Sequence, residues 1–252
     1  MKTSHFFIGP GRTGTTYLYD LVRQTPGVLA PKIKEPAFFD SRFDKGFDWY
    51  DGLYAKPAKN TRYRVDFSNL YYLNESAIQR AYSYNPNAKF IMIRRNRSDL
   101  FRSILYFELR KGKSLQEVKC RSDHVLYETD YDYHIPKIRK IVRNNLIIID
   151  FSLIVQHNVN EISRLCQLPI RTYAVRLNQN AAVIPKFKLL AFFAKKTALM
   201  LRNLELFRLL QFLKNNKFLK SLLFTEESSS SAINARLKAE VELMIAKIFG
   251  DL

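Results

Sequence analysis

The chain has 252 residues, of which 47% are apolar and 13% aromatic, a composition that excludes an intrinsically disordered chain and suits one domain spanning residues 1–252. Lys and Arg number 41 against 23 Asp and Glu, and the net charge of +18 favours a polyanionic partner such as nucleic acid, acidic polysaccharide or anionic lipid. Two cysteines exclude a disulfide framework, and because we find no apolar leader we expect a cytoplasmic protein.

The first predicted element is a strand, a turn and a helix at residues 6–21, FFIGPGRTGTTYLYDL. Residues 9–16, here called the phosphate loop, nearly match the pattern G-x-x-x-x-G-K-[ST], with Thr15 at the lysine position. Three glycines lead into the helix, so backbone N–H groups and the positive helix end face one spot. Thr15 and Thr16 add hydroxyl donors, and Arg12 adds a forked cation suited to a tetrahedral oxyanion. The loop predicts an anion site; a tight turn with threonine caps is the alternative.

Later apolar runs predict an α/β fold. KFIMI (residues 89–93) and NLIIIDF (145–151) are continuous and rich in Ile, as is typical of parallel strands buried on both faces. Helical patterns occupy residues 99–111 and 135–143, and residues 63–73 predict another strand that ends in a loop. Alternating strands and helices predict a three-layer fold with a central parallel sheet, whose ligands bind at the carboxyl ends of the strands.

A second basic segment follows one of these strands, at residues 90–107, FIMIRRNRSDLFRSILYF. The strand ends in arginines, and Ser98 or Asp99 is predicted to cap the next helix. Ser103 comes one turn into that helix, so Arg95 and Ser103 could converge on one phosphate. A basic strand end followed by a capped amphipathic helix is the alternative.

The missing loop lysine argues against transfer of a phosphoryl group from ATP. That reaction normally uses the lysine together with magnesium held by an acidic partner, and we find neither in this part of the sequence. A sulfuryl group carries less charge, so hydrogen bonds and one cation could suffice without a metal. The pairs Cys120 with His124 and Cys166 with His157 lack the second ligand pair of a zinc site, so no metal is predicted.

The two basic segments together resemble the cofactor-binding elements of sulfotransferases that use 3′-phosphoadenosine 5′-phosphosulfate, the closest in motif being the glycan, heparan sulfate and bacterial sulfotransferases. The resemblance implies their P-loop-like α/β architecture. It also implies two groups of donor-binding residues. The 5′-phosphosulfate would be held by Arg12, Thr13, Gly14, Thr15 and Thr16, and the 3′-phosphate by Arg95 and Ser103. The chain departs from the family pattern at Arg97 and Asn69, where the family usually has proline.

Residues 32–40, KIKEPAFFD, are similar to the Lys-Glu-x-x-Phe-Phe segment of glycan sulfotransferases, and we call them the acceptor segment. The resemblance implies that Glu35 is the general base that takes the proton of an acceptor hydroxyl. An exposed loop acid is the alternative reading of Glu35. His124 and His134 are the alternative bases, although a lone histidine is usually a surface or packed residue.

The expected function is therefore metal-free transfer of a sulfuryl group to a hydroxyl of a carbohydrate, glycolipid or related metabolite, with Arg12 and Glu35 catalytic and adenosine 3′,5′-bisphosphate as a product. A basic protein that binds nucleic acid or membranes without catalysis, and a divergent P-loop kinase, are the alternatives. Absence of zinc-finger or RNP patterns argues against a nucleic-acid partner.

The C-terminal part of the sequence adds one further expectation. Residues 186–224 are rich in Lys, Arg, Leu and Phe, and predict either peripheral membrane association with a lipid-linked acceptor or helices packed on the sheet. They follow an expected cofactor loop at residues 176–186. Residues 225–231 predict a loop before a helix at residues 232–248.

Overall fold

The structure is a computed structural model that describes residues 1–171, 183–185, 196, 197, 200, 201, 213, 224–226 and 235–250. The chain divides into two compact units, and each is described by itself. The first unit comprises Met1–Leu100 and Tyr127–Leu177, and the second comprises Phe101–Leu126 and Asn178–Leu252. The single-domain organisation stays a prediction.

A five-stranded parallel sheet forms the centre of the first unit. Its strands are β1 (His5–Gly9), β2 (Val28–Leu29), β3 (Tyr63–Phe67), β4 (Lys89–Arg94) and β5 (Leu146–Asp150). Their order across the sheet is β2-β3-β1-β4-β5, and every neighbouring pair is parallel. The predicted fold class is therefore confirmed.

Helices in the described residues alternate with these strands along the chain. They are α1 (Thr15–Val22), α2 (Gly46–Gly52), α3 (Glu75–Tyr84), α4 (Arg97–Arg110), α5 (Leu115–Glu128), α6 (Tyr131–Val142), α7 (Phe151–Val155), α8 (Val159–Cys166) and α9 (Ala235–Phe249). Short 3₁₀ turns lie at Phe43–Lys45, Tyr71–Leu73 and Arg143–Asn145.

The apolar side chains of β1 face both sides of the sheet, because successive strand residues alternate. Phe7 belongs to a buried cluster that includes Leu18 of α1 and Ile162 of α8. Phe6 points the other way, where its ring lies 5.2 Å from the ring of Phe90 and 5.4 Å from that of Phe39 in the acceptor segment. The acceptor segment therefore packs directly on the sheet.

Two predicted helices begin earlier in the structure, and in each case an upstream side chain caps the helix. The Asn96 side chain accepts from the Asp99 backbone N–H at 3.2 Å, so Asn96 caps α4 and the prediction of Ser98 or Asp99 is wrong. The Asp130 side chain accepts from the Tyr133 N–H at 3.1 Å, which starts α6 at Tyr131 rather than at residue 135. In both helices the oxygen of a short side chain accepts from the backbone N–H three residues later and so satisfies one of the first free N–H groups.

The second unit contains most of α4 and α5 together with α9 and a two-stranded antiparallel sheet. The sheet pairs β6 (Val183–Pro185) with β7 (Phe224–Glu226), so residues 225 and 226, predicted as a loop, are in a strand. Residues 183–185 of the expected cofactor loop are likewise a strand. The remainder of that loop and most of residues 186–224 lie outside the described residues.

Candidate active site

The phosphate loop lies at the carboxyl end of β1, where α1 begins at Thr15. Gly14 precedes the helix with a φ of 78°, a left-handed conformation that favours glycine. A Cβ at this position would collide with the Ile154 side chain of α7. No side chain of the described residues caps α1, so its first N–H groups and its positive end can serve an anion.

Thr13 holds the turn from inside. Its hydroxyl donates to the Pro10 carbonyl oxygen at 2.7 Å, and the residue is fully buried. Because this hydroxyl already has a partner in the loop, a contact between Thr13 and an anion would come from its backbone N–H.

The two basic segments meet at this edge of the sheet, since β1 and β4 are parallel neighbours. Arg95 Nη1 donates to the Arg12 carbonyl oxygen at 3.0 Å. The Arg95 guanidinium also lies 4.7 Å from the centre of the Phe151 ring. The structure thus brings the Arg95 side chain to the backbone of Arg12, while the donor-binding roles of the two arginines stay a prediction.

A cleft of 360 Å³ opens beside Arg95, at the ends of β4 and β5. Seven of its nine lining residues have polar or charged side chains, among them Arg94, Asn96 and Asp150. Ser103 lies on α4 in the second unit, and its convergence with Arg95 on one phosphate stays a prediction.

The acceptor segment brings a second cation to the phosphate loop, a contact that was not predicted from the sequence. Lys34 Nζ lies 3.3 Å from Thr15 Oγ1 and 3.1 Å from Thr16 Oγ1, and the side chain is 20% exposed. The ammonium also donates to Glu35 Oε1 at 3.2 Å. Thr15 stands at the lysine position of the loop pattern, but an ammonium still reaches the loop from another segment.

Glu35 is held by two donors on one oxygen. Asn69 Nδ2 donates to Glu35 Oε1 at 2.7 Å, in addition to the contact from Lys34. No donor among the described residues contacts Glu35 Oε2, and the side chain is 45% exposed. The carboxylate is therefore fixed through Oε1 and can take a proton at Oε2. Asn69, also missed, stands where the family usually has proline, and that departure was its one sequence signal.

A buried carboxylate organises the rest of the acceptor segment. Asp66 accepts from Ser68 Oγ at 2.7 Å, Tyr50 Oη at 2.9 Å and Tyr71 Oη at 3.3 Å. Ser68 Oγ then accepts from the Ala37 N–H at 3.0 Å, and Tyr71 Oη accepts from the Phe39 N–H at 3.1 Å.

Burial has the largest influence on the pKa of Asp66. It raises the pKa of this carboxyl from 3.8 to about 6, and the three hydroxyl donors oppose the rise. Since the donors that hold Asp66 also hold the backbone after Glu35, the network positions the segment that carries the expected base.

The two histidines considered as bases lie in different surroundings. His134 is buried, its Nε2 donates to the Tyr127 carbonyl oxygen at 2.8 Å, and burial lowers its pKa. A ring bonded to a backbone carbonyl inside the fold fits a packed histidine better than a base. His124 is exposed on α5, in the second unit.

The sulfotransferase domain family matches residues 2–168, about two thirds of the chain. The chain belongs to this sulfotransferase family. It is 36% identical over 99 residues to the human bifunctional heparan sulfate N-deacetylase/N-sulfotransferase 3, covering 36% of this chain and 11% of that protein. It is 30% identical over 89 residues to the mouse heparan sulfate glucosamine 3-O-sulfotransferase 6, covering 35% of this chain and 25% of that protein. These matches span a minor part of either relative.

A solved sulfotransferase from Alicyclobacillus acidocaldarius shares the fold, with a TM-score of 0.57 and 18% identity over 70% of this chain and 87% of that one. Within the described residues of the sulfotransferase, no group of three or more His, Cys, Asp or Glu is arranged to hold a metal ion. No helix in this described part has the length and apolar composition needed to cross a membrane.

Proposed function

We propose that this sulfotransferase moves the sulfuryl group of 3′-phosphoadenosine 5′-phosphosulfate to a hydroxyl of a carbohydrate, glycolipid or related metabolite, with Glu35 as the general base. The observation that carries the proposal is the contact of Lys34 with Thr16 at 3.1 Å and with Glu35 at 3.2 Å. One side chain thus joins the expected donor loop to the expected base, so donor and acceptor can react at one place.

The groups around the phosphate loop fit a phosphosulfate donor. They are the N–H groups at the start of α1, the hydroxyls of Thr15 and Thr16, and the guanidinium of Arg12, all of which suit an oxyanion. A Cβ at Gly14 would collide with the Ile154 side chain, so the loop needs glycine where it enters α1. Arg95, joined to the Arg12 carbonyl, is the group we assign to the 3′-phosphate together with Ser103.

In the proposed reaction Glu35 Oε2 takes the hydroxyl proton while the acceptor oxygen forms a bond to sulfur. The bond between sulfur and the bridging oxygen breaks, and adenosine 3′,5′-bisphosphate leaves. Arg12, Thr15 or Thr16 and the loop N–H groups stabilise the negative charge that grows on that oxygen. No metal is needed in this scheme.

The acceptor is proposed at the level of chemical class. The named relatives carry heparan sulfate in their names, which supports a glycan acceptor. The net charge of +18 supports an anionic acceptor or a location at an anionic membrane surface in the cytoplasm.

A transfer assay with ³⁵S-labelled donor tests the proposal. The purified protein is incubated in chelator with desulfated heparan sulfate oligosaccharides, neutral sugars and glycolipids, and label on each acceptor is counted. We expect one acceptor class to be labelled in a donor-dependent way. Label on no acceptor, together with failure to bind adenosine 3′,5′-bisphosphate, would contradict the function.

A further inference from the structure

The ammonium of Lys34 lies where a cation is electrostatically out of place. The start of a helix carries roughly half a positive charge, so a cation there is unfavourable in the absence of an anion. Lys34 Nζ is nonetheless within 3.3 Å of the hydroxyls of both Thr15 and Thr16, the first two residues of α1. Its carboxylate partner is Glu35, which is nearly half exposed. This arrangement suits a bound anion that both positive groups can share.

The backbone around Lys34 is anchored on both sides. The Lys32 N–H donates to the Leu53 carbonyl oxygen and the Glu35 N–H donates to the Phe67 carbonyl oxygen, each at 2.8 Å. Glu35 has a φ of 64°, in the left-handed region that is strained for a residue with a side chain. Fixed hydrogen bonds thus hold a strained turn that sends the Lys34 side chain to the loop and the Glu35 side chain to Asn69.

We propose that Lys34 is a catalytic residue of sulfuryl transfer. Its ammonium binds the oxygens of the sulfuryl group during transfer and replaces the lysine that is missing from the loop, where Thr15 stands instead. This inference rests on the proposed function. As the acceptor oxygen bonds to sulfur and the bridging S–O bond breaks, the hydroxyl proton goes to Glu35. Lys34 keeps its protons and donates hydrogen bonds to the oxygens that gain charge.

Lys34→Ala and Lys34→Gln test the role, with Lys32→Ala as the matched control. Lys32 belongs to the same segment, but its ammonium donates to the Gly52 carbonyl oxygen at 2.9 Å. Three quantities are measured in chelator: kcat at saturating donor, calorimetric affinity for adenosine 3′,5′-bisphosphate, and recovery of kcat with added n-propylammonium.

We expect both Lys34 variants to lose about 100-fold in kcat, as for removal of one donor to a developing oxyanion. Their affinity for the bisphosphate should stay within about threefold, because that product lacks the sulfuryl group. Propylammonium should restore part of the kcat of Lys34→Ala, an effect that a purely structural role of the lysine would not produce. Lys32→Ala should stay within about twofold of the wild type and gain nothing from the amine.

The assignment is overturned if the wild type transfers sulfuryl groups and a Lys34 variant keeps at least half of its kcat. It is equally overturned if kcat and bisphosphate affinity fall together and propylammonium restores neither. That result would mean that Lys34 maintains the structure of the phosphate loop. A wild type that neither binds the bisphosphate nor transfers label identifies the proposed function itself as the failure.

Discussion

The phosphate loop and the acceptor segment lie at the same edge of the sheet, but they are held there by different means. The loop is fixed largely by contacts within itself, through the left-handed Gly14 and the bond from the Thr13 hydroxyl to the Pro10 carbonyl oxygen. The acceptor segment is fixed by side chains of β3 and the residues after it, above all Asp66 and its hydroxyl donors. A loop held by contacts within itself can be predicted from local sequence, whereas a segment held by distant side chains can be recognised only in the folded structure.

The largest expected effect comes from removing the proposed proton acceptor of the acceptor segment while the phosphate loop stays intact. Glu35→Gln keeps the shape of the side chain and an oxygen for Asn69 but cannot take a proton. We expect turnover to fall by about 10²- to 10⁴-fold, the usual contribution of a general base. Affinity for adenosine 3′,5′-bisphosphate should hold, because the phosphate loop is intact.

Asp44→Asn, at an exposed acid just beyond the acceptor segment, is the control and should transfer at the wild-type rate. Full transfer by Glu35→Gln with a genuine acceptor would remove Glu35 from the mechanism.

A pair of glycine variants isolates the backbone contribution of the phosphate loop. Gly14 and Gly112 both have a positive φ, 78° and 87°, but a Cβ at Gly112 meets nothing within 4 Å. Both alanine variants suffer the strain of a positive φ, and Gly14→Ala also collides with Ile154. We expect Gly14→Ala to lose about 1–3 kcal/mol more in unfolding free energy than Gly112→Ala, measured in urea.

Gly14→Ala should also bind adenosine 3′,5′-bisphosphate more weakly, while Gly112→Ala should match the wild type. Equal losses of stability and equal affinities would show that the start of α1 tolerates a side chain.

The third prediction concerns the side-chain network of the acceptor segment. Because burial raises the pKa of Asp66 from 3.8 to about 6, the folded protein holds a proton there that the unfolded chain releases. The stabilisation from this proton is present at about pH 4 and is lost as pH rises through about 6. Relative to Asp66→Asn, wild-type unfolding free energy should fall by up to about 1.4 kcal/mol per pH unit in that window.

Urea unfolding of both proteins at pH 4, 5, 6 and 7 measures this difference. A difference that stays constant or grows with pH would mean that Asp66 is charged throughout and that its hydroxyl donors outweigh burial.

The contiguous strand, loop and helix at residues 5–22 could be predicted from sequence, because each step depends on neighbours in the chain. The cation at Thr15 could not, since it comes from Lys34, 19 residues later, through a contact that exists only after folding. The substitution at the lysine position correctly indicated an altered loop but gave no sign of a replacement. The role of Asn69 could not be predicted for the same reason, because its contact with Glu35 joins residues 34 positions apart in the chain.

The N-terminal cap of α4 shows a second limit of prediction from the sequence. Ser98, Asp99 and Asn96 all have side chains that can cap a helix, and the sequence alone does not rank them. The structure selects Asn96 because β4 ends at Arg94, which leaves Asn96 as the residue before the helical backbone begins.

Calorimetric titration with adenosine 3′,5′-bisphosphate in chelator, beside 5′-AMP and beside ATP with magnesium, tests the central claim most directly. We expect the bisphosphate to bind without metal and about 10- to 100-fold more tightly than 5′-AMP, because a charged hydrogen-bonded partner is worth about 1.5–3 kcal/mol. We also expect Arg95→Met to remove most of that preference. Equal affinity for the bisphosphate and 5′-AMP, or binding only when magnesium is present, would contradict it.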